Sequence, residues 1–555
     1  MSEVRPGGSG SAAEVPQMHL RSVKHSFSLR SASALSFATM RPIFIFTVAG
    51  GVLLTAGSGA WLAVLLCYAL LLLIASVLAE LASHWPLEGS VYEWTRQLIG
   101  PRSGLIVGWA YLCSYVVFMA AIAYYAALKI FGLFDSSPNR VVAGILALVL
   151  ILLATLINLA GRVYLKAVAV AAAAISLVGC LIFATVLLIG YRAESLGALF
   201  ASPADGVHGW AWLSGPFLFV LVTLSVISMR GVELVAEVAE EVRDPERSVP
   251  KALVWSVVVA GAVVLYTSAA LALAAPDALA GAQKFISLLV VLAYSGALVI
   301  FQMAASRTLW ITTRDRVLPA HAYFGQLSKG DRLPVRAIIV VGIVAAILPF
   351  ITSTSASQVL FGTAGAALLL AYLVPILGAA RSRMRGTWAP GPWSLGGWGG
   401  IAVVLSIIAL VGLVLNIIWP RADYYGDGIT AWGPIIGLVV IIVLGLIISG
   451  WAFRDGGIHT RHFGHTDRDL QRIRLAHGST CSLCLRTLSE GSEAQWDDSA
   501  QALTCIPCDE MTDWIRARPG ATDAELSAVF IEAHESYSSI APPTESTLRR
   551  IRAVR

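Results

Sequence analysis

The chain has 555 residues, of which 57% are hydrophobic and only 13% are charged. Soluble domains carry about 25% charged residues, so this composition excludes an ordinary soluble protein and indicates one that lies in a lipid bilayer. The formal charge of +5 does not indicate a nucleic-acid partner, because much of the basic excess lies in short loops between apolar runs.

Residues 1–32 precede the apolar part of the chain and begin with the polar run MSEVRPGGSGSAAEVPQ. This run lacks the apolar core of a cleavable signal peptide, so we expect none. Its composition is typical of a disordered segment, and we predict a disordered cytoplasmic N-terminal tail over 1–32.

Twelve long apolar segments follow this tail. Most of them reach the length of about 20 residues that a helix needs to cross the hydrocarbon core. We therefore predict an all-α integral membrane protein with twelve transmembrane helices within 33–453. The segments lie at 33–57, 61–83, 103–133, 141–160, 166–190, 211–241, 252–275, 286–313, 336–353, 357–380, 398–418 and 432–453.

The charges of the connecting loops predict the orientation of the chain. Alternate loops carry 15 lysines and arginines, whereas the remaining loops carry 4 or 5. Short loops rich in Lys and Arg stay in the cytoplasm. We therefore predict a multi-pass protein of the plasma membrane with both termini in the cytoplasm.

The first apolar segment is interrupted, because Arg41-Pro42 stands between SALSFATM and IFIFTVAGG. Proline removes a backbone donor and frees an upstream carbonyl, so this pair predicts a broken helix. The alternative is that the helix simply begins at Pro42, with Arg41 as its cytoplasmic flank.

The sixth apolar segment contains two charged residues, Arg230 and Glu233, on either side of Gly231. Charges within a bilayer are costly and face a cavity or a partner, and glycine allows a helix to open. We interpret the segment as a second broken helix at a binding site. The alternative is an Arg230–Glu233 pair that neutralises itself on one helix face. Interrupted helices at the first position of two five-helix halves indicate the substrate site of an inverted-repeat transporter.

Three stretches resemble the amino acid–polyamine–organocation permease superfamily: AELASHWPLEGSVYEWTRQLIGPRSGLIVGWAYL at 79–112, GVELVAEVAEEVRDPERSVPKAL at 231–253 and ASRTLWITTRDRVLPAHAYF at 305–324. Residues 391–420 are similar to its branch of amino acid, choline and 4-aminobutyrate permeases. The resemblance covers about 33–453 and implies a LeuT-like fold of two inverted five-helix repeats plus two helices. It also implies a secondary transporter that moves amino acids or related amines and carboxylates by alternating access.

The same resemblance implies a site for a small-molecule substrate. The substrate's α-carboxylate would meet the first broken helix, and its amine would meet carbonyls of the sixth segment. Glu233 matches the acidic residue of the family's motif, which implies a gating or proton-coupling group. The implied substrate-binding residues are Thr39, Met40, Arg41, Ile43, Phe44, Ser228, Met229, Arg230 and Gly231.

The sequence departs from the family at the first break, where a glycine-rich opening is usual and ATMRPIF contains no glycine. If Arg41 and Arg230 both line the cavity, they predict a substrate more acidic than is usual for the family, since arginine forms bidentate pairs with carboxylates. The alternative is that Arg41 pairs with Glu233 and takes the place of a bound cation.

The C-terminal part is polar, with a predicted linker at 454–477 and a predicted cytoplasmic zinc-ribbon-like module with C-terminal helices at 478–555. Two Cys-x-x-Cys pairs separated by 20 residues have the spacing of a structural four-cysteine zinc site, and the cytoplasm disfavours disulfides. Zinc is the predicted cofactor, and no organic cofactor is expected. The module is also a candidate contact for a cytoplasmic protein partner. The predicted ligands are Cys481, Cys484, Cys505 and Cys508.

Two functions remain open from the sequence. The first is a permease for amino acids or related compounds. The second is a transport-inactive membrane sensor that keeps the permease fold and signals through the metal-binding tail. An enzyme is not expected, because the sequence has no Ser-His-Asp pattern, phosphate loop or haem signature.

Overall fold

The structure is a computed structural model with two compact units, Met1–Arg454 and Asp455–Arg555. The second unit is described at its five strands alone. In the first unit the structure describes residues 27–48, 60–200, 213–228, 230–275, 278, 280–314, 321–324, 327–328, 333–351, 354–388 and 390–452.

The first unit is built from α-helices joined by short turns and 3-10 segments. In chain order the described helices are α1 (Leu29–Met40), α2 (Ala60–His84), α3 (Ser90–Leu98), α4 (Pro101–Leu133), α5 (Arg140–Ala160), α6 (Arg162–Gly190), α7 (Leu218–Ser228), α8 (Pro245–Leu273), α9 (Gln283–Arg314), α10 (His321–Phe324), α11 (Val335–Ile351), α12 (Thr354–Met384), α13 (Gly399–Ile418), α14 (Ala422–Tyr425) and α15 (Gly433–Ala452).

Ten stretches of the described residues are long and apolar enough to cross a membrane, and they coincide with ten of the twelve predicted segments. The predicted segment 336–353 corresponds to α11, which has only 17 residues. The predicted segment 211–241 is not one continuous α-helix, because a 3-10 helix, Val232–Glu241, follows α7. The first unit is thus a nearly all-helical, multi-pass membrane protein.

The first helix begins at Leu29, four residues before the predicted start, so the predicted tail 1–32 is too long. Ser28 caps this helix: its side chain accepts from Ser31 N, and the Ser31 side chain accepts from Ser28 N. Such a capping box satisfies donors that a helix start leaves open. Phe27 is also buried, and its backbone N donates to Glu241 O at 3.1 Å.

The predicted interruptions are present in both the first and the sixth segment. Helix α1 ends at Met40, Arg41 has φ 48° and ψ 63°, and a 3-10 turn then begins at Pro42. A residue before proline is disfavoured in the right-handed helical region, which explains the break there. The alternative that the helix begins at Pro42 is therefore wrong, since three helical turns precede it.

In the sixth segment α7 ends at Ser228, and Gly231 takes the left-handed conformation with φ 78°. Glycine adopts this conformation without the steric cost that a side chain incurs. The 3-10 helix that follows has a second irregular point at Val238, with φ −121°. Helix α1 packs against α6, α8 and the 3-10 helix Val232–Glu241, and α4 packs against both α9 and α12.

The second unit contains two antiparallel sheets, one of order β1-β4-β5 and one of order β2-β3. Strand β1 lies inside the predicted linker 454–477 and pairs with β4, so the folded module begins earlier than predicted. The predicted C-terminal helices lie outside the described residues. The strands are β1 (Leu470–Arg474), β2 (Ser479–Thr480), β3 (Thr487–Leu488), β4 (Glu493–Asp497) and β5 (Ala502–Cys505).

Candidate functional site

The two helix breaks lie against each other in the interior of the bundle. Ser36 Oγ on α1 donates to Val232 O at 2.8 Å. Thr39, one turn later, packs on Gly231 so closely that a Cβ built there would lie 2.7 Å from Thr39 Cβ. Ser36 and Thr39 are both fully buried. Backbone that leaves regular helix geometry is thus enclosed by protein, as an interruption at membrane depth requires.

Glu233 lies fully buried near the start of the 3-10 helix after the second break. Its Oε1 accepts hydrogen bonds from Tyr111 Oη at 2.8 Å and from Tyr115 Oη, and its Oε2 accepts one from Tyr372 Oη. Tyr111 and Tyr115 lie one turn apart on α4, and Tyr372 belongs to α12. Three hydroxyl donors replace the water that a buried carboxyl loses. The carboxyl therefore joins the second break to two surrounding helices.

Arg41 is 2% exposed and faces the interior rather than the cytoplasm. Its Nε donates to Thr39 O at 3.2 Å. Its guanidinium carbon lies 5.0 Å from the ring centroid of Tyr294 and 5.8 Å from that of Phe301, both on α9. Aromatic faces attract a guanidinium most strongly where water is excluded. The arginine is therefore held at the first break by rings and a carbonyl.

Arg230 is 1% exposed and lies at the second break. Its guanidinium carbon is 3.8 Å from the ring centroid of Phe118 and 5.0 Å from that of Phe361. The Phe118 and Phe301 centroids are 5.9 Å apart, so the rings that carry the two guanidiniums are in contact. We call Phe118, Tyr294, Phe301 and Phe361 the aromatic cluster.

Little free volume remains beside the first break. A cavity of about 10 Å³ is lined by Arg41 and residues that follow it, by Leu224 of α7 and by Val264 of α8. This volume is roughly that of one water molecule. A substrate can therefore enter here only if the arginine side chains or the broken helices move.

A buried charge network lies one to two turns beyond Glu233, at the end of the bundle predicted to face the cytoplasm. Arg307 of α9 donates to Glu88 Oε1 at 3.0 Å and to Glu241 Oε1 at 2.7 Å. Arg162 Nε lies 3.2 Å from the other oxygen of Glu241. Removing one partner of a buried ion pair costs about 3–5 kcal/mol, so this network holds α6, α9 and the broken sixth helix together.

The geometry can be compared with known proteins. A family model described as amino acid permease matches residues 27–447, a span that includes both helix breaks. The chain belongs to the amino acid permease family. This membership agrees with the expectation that the protein is not an enzyme.

Several curated relatives of the chain are named as permeases. L-asparagine permease 1 of Mycobacterium tuberculosis (strain ATCC 25618 / H37Rv) is 30% identical over 264 residues, which are 46% of this chain and 52% of that protein. The gamma-aminobutyric acid permease of Bacillus subtilis (strain 168) is 24% identical over 450 residues, which are 76% of this chain and 93% of that protein. The chain spans about half the length of the asparagine permeases that it matches.

A solved structure shares the fold of this chain. A mutant of the Eremococcus coleocola manganese transporter superposes with a TM-score of 0.50 and 16% sequence identity. The match covers 80% of this chain and 97% of that chain. At this identity the likeness concerns the fold alone.

The fold brings five of the predicted site residues together at the two breaks. Met40 and Ile43 are fully buried beside them, and the Phe44 ring stacks on Tyr294 with centroids 5.8 Å apart. Ser228 ends α7, and its side chain lies outside the described residues, as does the whole of Met229. The five are Thr39, Arg41, Arg230, Gly231 and Glu233.

The alternative pairing of Arg41 with Glu233 is wrong. Among the ion pairs of the described residues none joins these two side chains, because Glu233 binds tyrosines of α4 and α12 while Arg41 stacks on α9. The alternative of Arg230 and Glu233 on one continuous helix face also fails. The left-handed Gly231 interrupts the helix between them.

Sequence reasoning missed the tyrosines around Glu233 and the aromatic cluster. A signal was present on α4, where Tyr111, Tyr115 and Phe118 recur at the spacing of one helix face. It was missed because aromatic residues at this spacing are equally typical of plain helix packing. Arg307 and Glu88 also stood within the stretches that resemble the family, as charges beside apolar runs.

The predicted zinc ligands lie mostly outside the described residues. Cys505 ends β5, where Ala494 of β4 is its partner in the ladder. Cys481, Cys484 and Cys508 are not described, and the described residues contain no group of three or more His, Cys, Asp or Glu that could hold a metal. The paired strands β2 and β3 flank residues 481–486.

Proposed function

We propose that this permease is a secondary active transporter that moves an amino acid or a related compound by alternating access. The observation that carries the proposal is the meeting of two interrupted helices in a protein-enclosed interior, through Ser36, Thr39, Gly231 and Val232. Half-helix ends offer unpaired backbone groups to a substrate. The family and its named relatives support transport of a small molecule.

We propose twelve transmembrane helices, which adds α11 and the broken sixth helix to the ten long apolar stretches. In a LeuT-like arrangement, residues 29–190 and 213–384 would form two inverted five-helix repeats, with α13 and α15 as the additional pair. The interruption in the first helix of each half supports this arrangement. Both termini would then lie in the cytoplasm of a plasma-membrane protein, as the loop charges indicate.

We propose that the substrate is acidic. Arg41 and Arg230 are two buried guanidiniums on one aromatic cluster. A bound carboxylate would pair with a guanidinium in a bidentate manner and offset the cost of burying like charges. The relatives named for L-asparagine and gamma-aminobutyric acid support a compound that carries both an ammonium and a carboxylate group.

Glu233 is proposed to be the gating or proton-coupling group. Its carboxyl touches both the second break and two neighbouring helices through tyrosine hydroxyls. A hydroxyl can donate to a carboxylate or accept from a protonated carboxyl, so the same tyrosines can serve both protonation states. Protonation would therefore alter the contacts of the broken helix without exposing it to lipid.

Substrate class is tested by ligand-dependent thermal stability of the purified protein, with uptake into proteoliposomes measured in parallel. The ligands are acidic, neutral and basic amino acids, 4-aminobutyrate, choline and dicarboxylates. We expect an acidic compound to raise the melting temperature, since a ligand stabilises the state that binds it. Arg41→Gln and Arg230→Met should each weaken the binding of this compound by roughly 30-fold or more.

Arg192→Gln is the matched control, because this arginine is exposed and lies outside the site. It should leave ligand shifts and uptake unchanged. Uptake and ligand shifts at the unmodified level in both site variants would contradict the role of the arginines. Stabilisation by neutral amino acids alone, with normal uptake of them, would reject the acidic substrate and leave the transport proposal standing.

We also propose that the C-terminal unit binds one structural zinc ion through Cys481, Cys484, Cys505 and Cys508. Four thiolates form the usual tetrahedral donor set of such a site. The described strand pairs support this proposal, because each pair of cysteines stands next to an antiparallel strand pair. The same unit is proposed as the contact for a cytoplasmic protein partner.

Metal analysis of the purified full chain is expected to find about one zinc ion per chain. Cys481→Ser combined with Cys505→Ser should remove this zinc, since one cysteine of each pair is lost. Cys113→Ser, in the membrane helix α4, is the control and should retain it. Zinc below about a tenth of an ion per chain in the unmodified protein, purified without chelator, would reject the site.

The comparisons give no support to the alternative of a transport-inactive sensor. The relatives reported above carry the name permease. We therefore propose transport alone.

A further inference from the structure

A cavity of about 250 Å³ lies between the end of α2 and the end of α12, away from the two helix breaks. This volume is below the range of about 300–1,000 Å³ that is typical of pockets for drug-sized ligands. It suits a headgroup or a small anion. Its lining residues are His84, Trp85, Gln97, Leu98, Arg381, Ser382, Arg385, Thr387 and Trp388.

The cavity has a basic lining with little acidic compensation. Arg381 and Arg385 lie one turn apart, and no ion pair of the described residues includes either of them. Glu80, at the neighbouring end of α2, is bound to Arg383 instead. The chain from Arg381 to Ala422 contains no aspartate or glutamate. The two guanidiniums at the cavity therefore favour an anionic occupant.

Ordered aromatic rings form one side of the same cavity. The His84 ring stacks on Trp388 with centroids 5.6 Å apart, and Trp85 meets His84 edge to face at 4.0 Å. The Arg383 guanidinium lies 4.0 Å from the Trp388 centroid. These contacts hold the wall in place before any ligand binds. Tryptophan is also enriched at the level of lipid headgroups.

The cavity lies at the end of two membrane helices, since α2 ends at His84 and α12 ends at Met384. The adjoining loops carry the basic excess that indicates the cytoplasmic side. The hydroxyls of Ser382 and Thr387 stand 3.0 Å apart beside the arginines. They add neutral donors for anionic oxygens.

We propose that this cavity binds the phosphate of an anionic phospholipid headgroup from the cytoplasmic leaflet. Basic pockets between membrane helices on this side bind such headgroups by charge and by hydrogen bonds. Bidentate contacts from Arg381 and Arg385 would fix the phosphate, and the tryptophans would cover the glycerol region. The occupant would join α2 to α12 at their cytoplasmic ends.

The test titrates the detergent-purified full chain with dioctanoyl phosphatidylglycerol and follows its melting temperature. Dioctanoyl phosphatidylcholine and inorganic phosphate are titrated in parallel. We expect phosphatidylglycerol to stabilise the unmodified protein at lower concentration than either of these. Arg381→Gln with Arg385→Gln should weaken that effect by roughly 30-fold, since each basic residue near a membrane surface contributes about fivefold.

The matched control is Arg247→Gln with Lys251→Gln, which removes two exposed basic residues on the same predicted side that do not line the cavity. It should keep the lipid effect. An equal shift with inorganic phosphate would support the phosphate site and overturn lipid as its source. Equal effects of the two lipids, or an unchanged response in the Arg381→Gln/Arg385→Gln variant, would overturn the proposal.

Discussion

Gly231→Ala is expected to reduce uptake by more than about tenfold. Two costs combine at this position. A left-handed backbone costs an L-residue about 1–2 kcal/mol, and overpacking a filled interior costs about 1–3 kcal/mol. The added Cβ would lie 2.7 Å from Thr39 Cβ and 2.8 Å from Leu234 Cδ1, with Thr39 Oγ1 closer still. The substitution therefore forces apart the two breaks at which the substrate is proposed to bind. Initial uptake rates in proteoliposomes measure the effect.

Gly412→Ala is the matched control for this prediction. Gly412 lies in α13, and a Cβ at this position would meet nothing within 4 Å. Alanine is also the better helix former by about 1 kcal/mol. This control should transport at the unmodified rate. The proposed role of the breaks is wrong if the Gly231→Ala variant transports within about twofold of the unmodified rate. A twofold change in rate corresponds to less than about 1 kcal/mol of activation free energy.

Glu233→Gln is expected to abolish net accumulation of substrate while leaving exchange of internal for external substrate measurable. Glutamine resembles a protonated carboxyl in shape and charge but cannot release a proton. If the empty carrier can reorient only after it releases its proton, this variant can reorient only with substrate bound. Exchange requires no such release. The measurement compares accumulation driven by a pH gradient with counterflow in proteoliposomes preloaded with unlabelled substrate.

The control for this second prediction is Glu246→Gln. Glu246 is exposed in the first turn of α8, whereas the tyrosines that bind Glu233 are buried. Accumulation and exchange should both persist in this control. Pronounced accumulation by Glu233→Gln, with the pH dependence of the unmodified protein, would remove Glu233 from the coupling mechanism and leave the substrate site unaffected.

Together these experiments separate three roles that meet within a few residues. Gly231 supplies the close approach of two backbones, Glu233 supplies a group that can exchange a proton, and the two arginines supply positive charge. Loss of ligand binding, of coupling and of the conformational cycle have different kinetic signatures. A variant that fails in all three has lost its fold rather than one function.

Much of the membrane architecture followed from local sequence alone. Long apolar segments determine where helices lie, because a bilayer core leaves a polar backbone no alternative to internal hydrogen bonds. Proline after Arg41 and glycine at 231 determine where those helices break, because both act on their own backbone. The start of α1 was misplaced, since the Ser28 cap is a weaker signal than the apolar run.

The partners at the site were decided by the tertiary structure. Glu233 takes tyrosines from α4 and α12, and the arginines take rings from α4, α9 and α12, which are separated by many residues in the chain. In a membrane helix the face toward lipid is as apolar as the face toward the core, so hydrophobic periodicity does not show which aromatic residues point inward. Only the packing of the helices brings these side chains to the two breaks, which the sequence by itself had located.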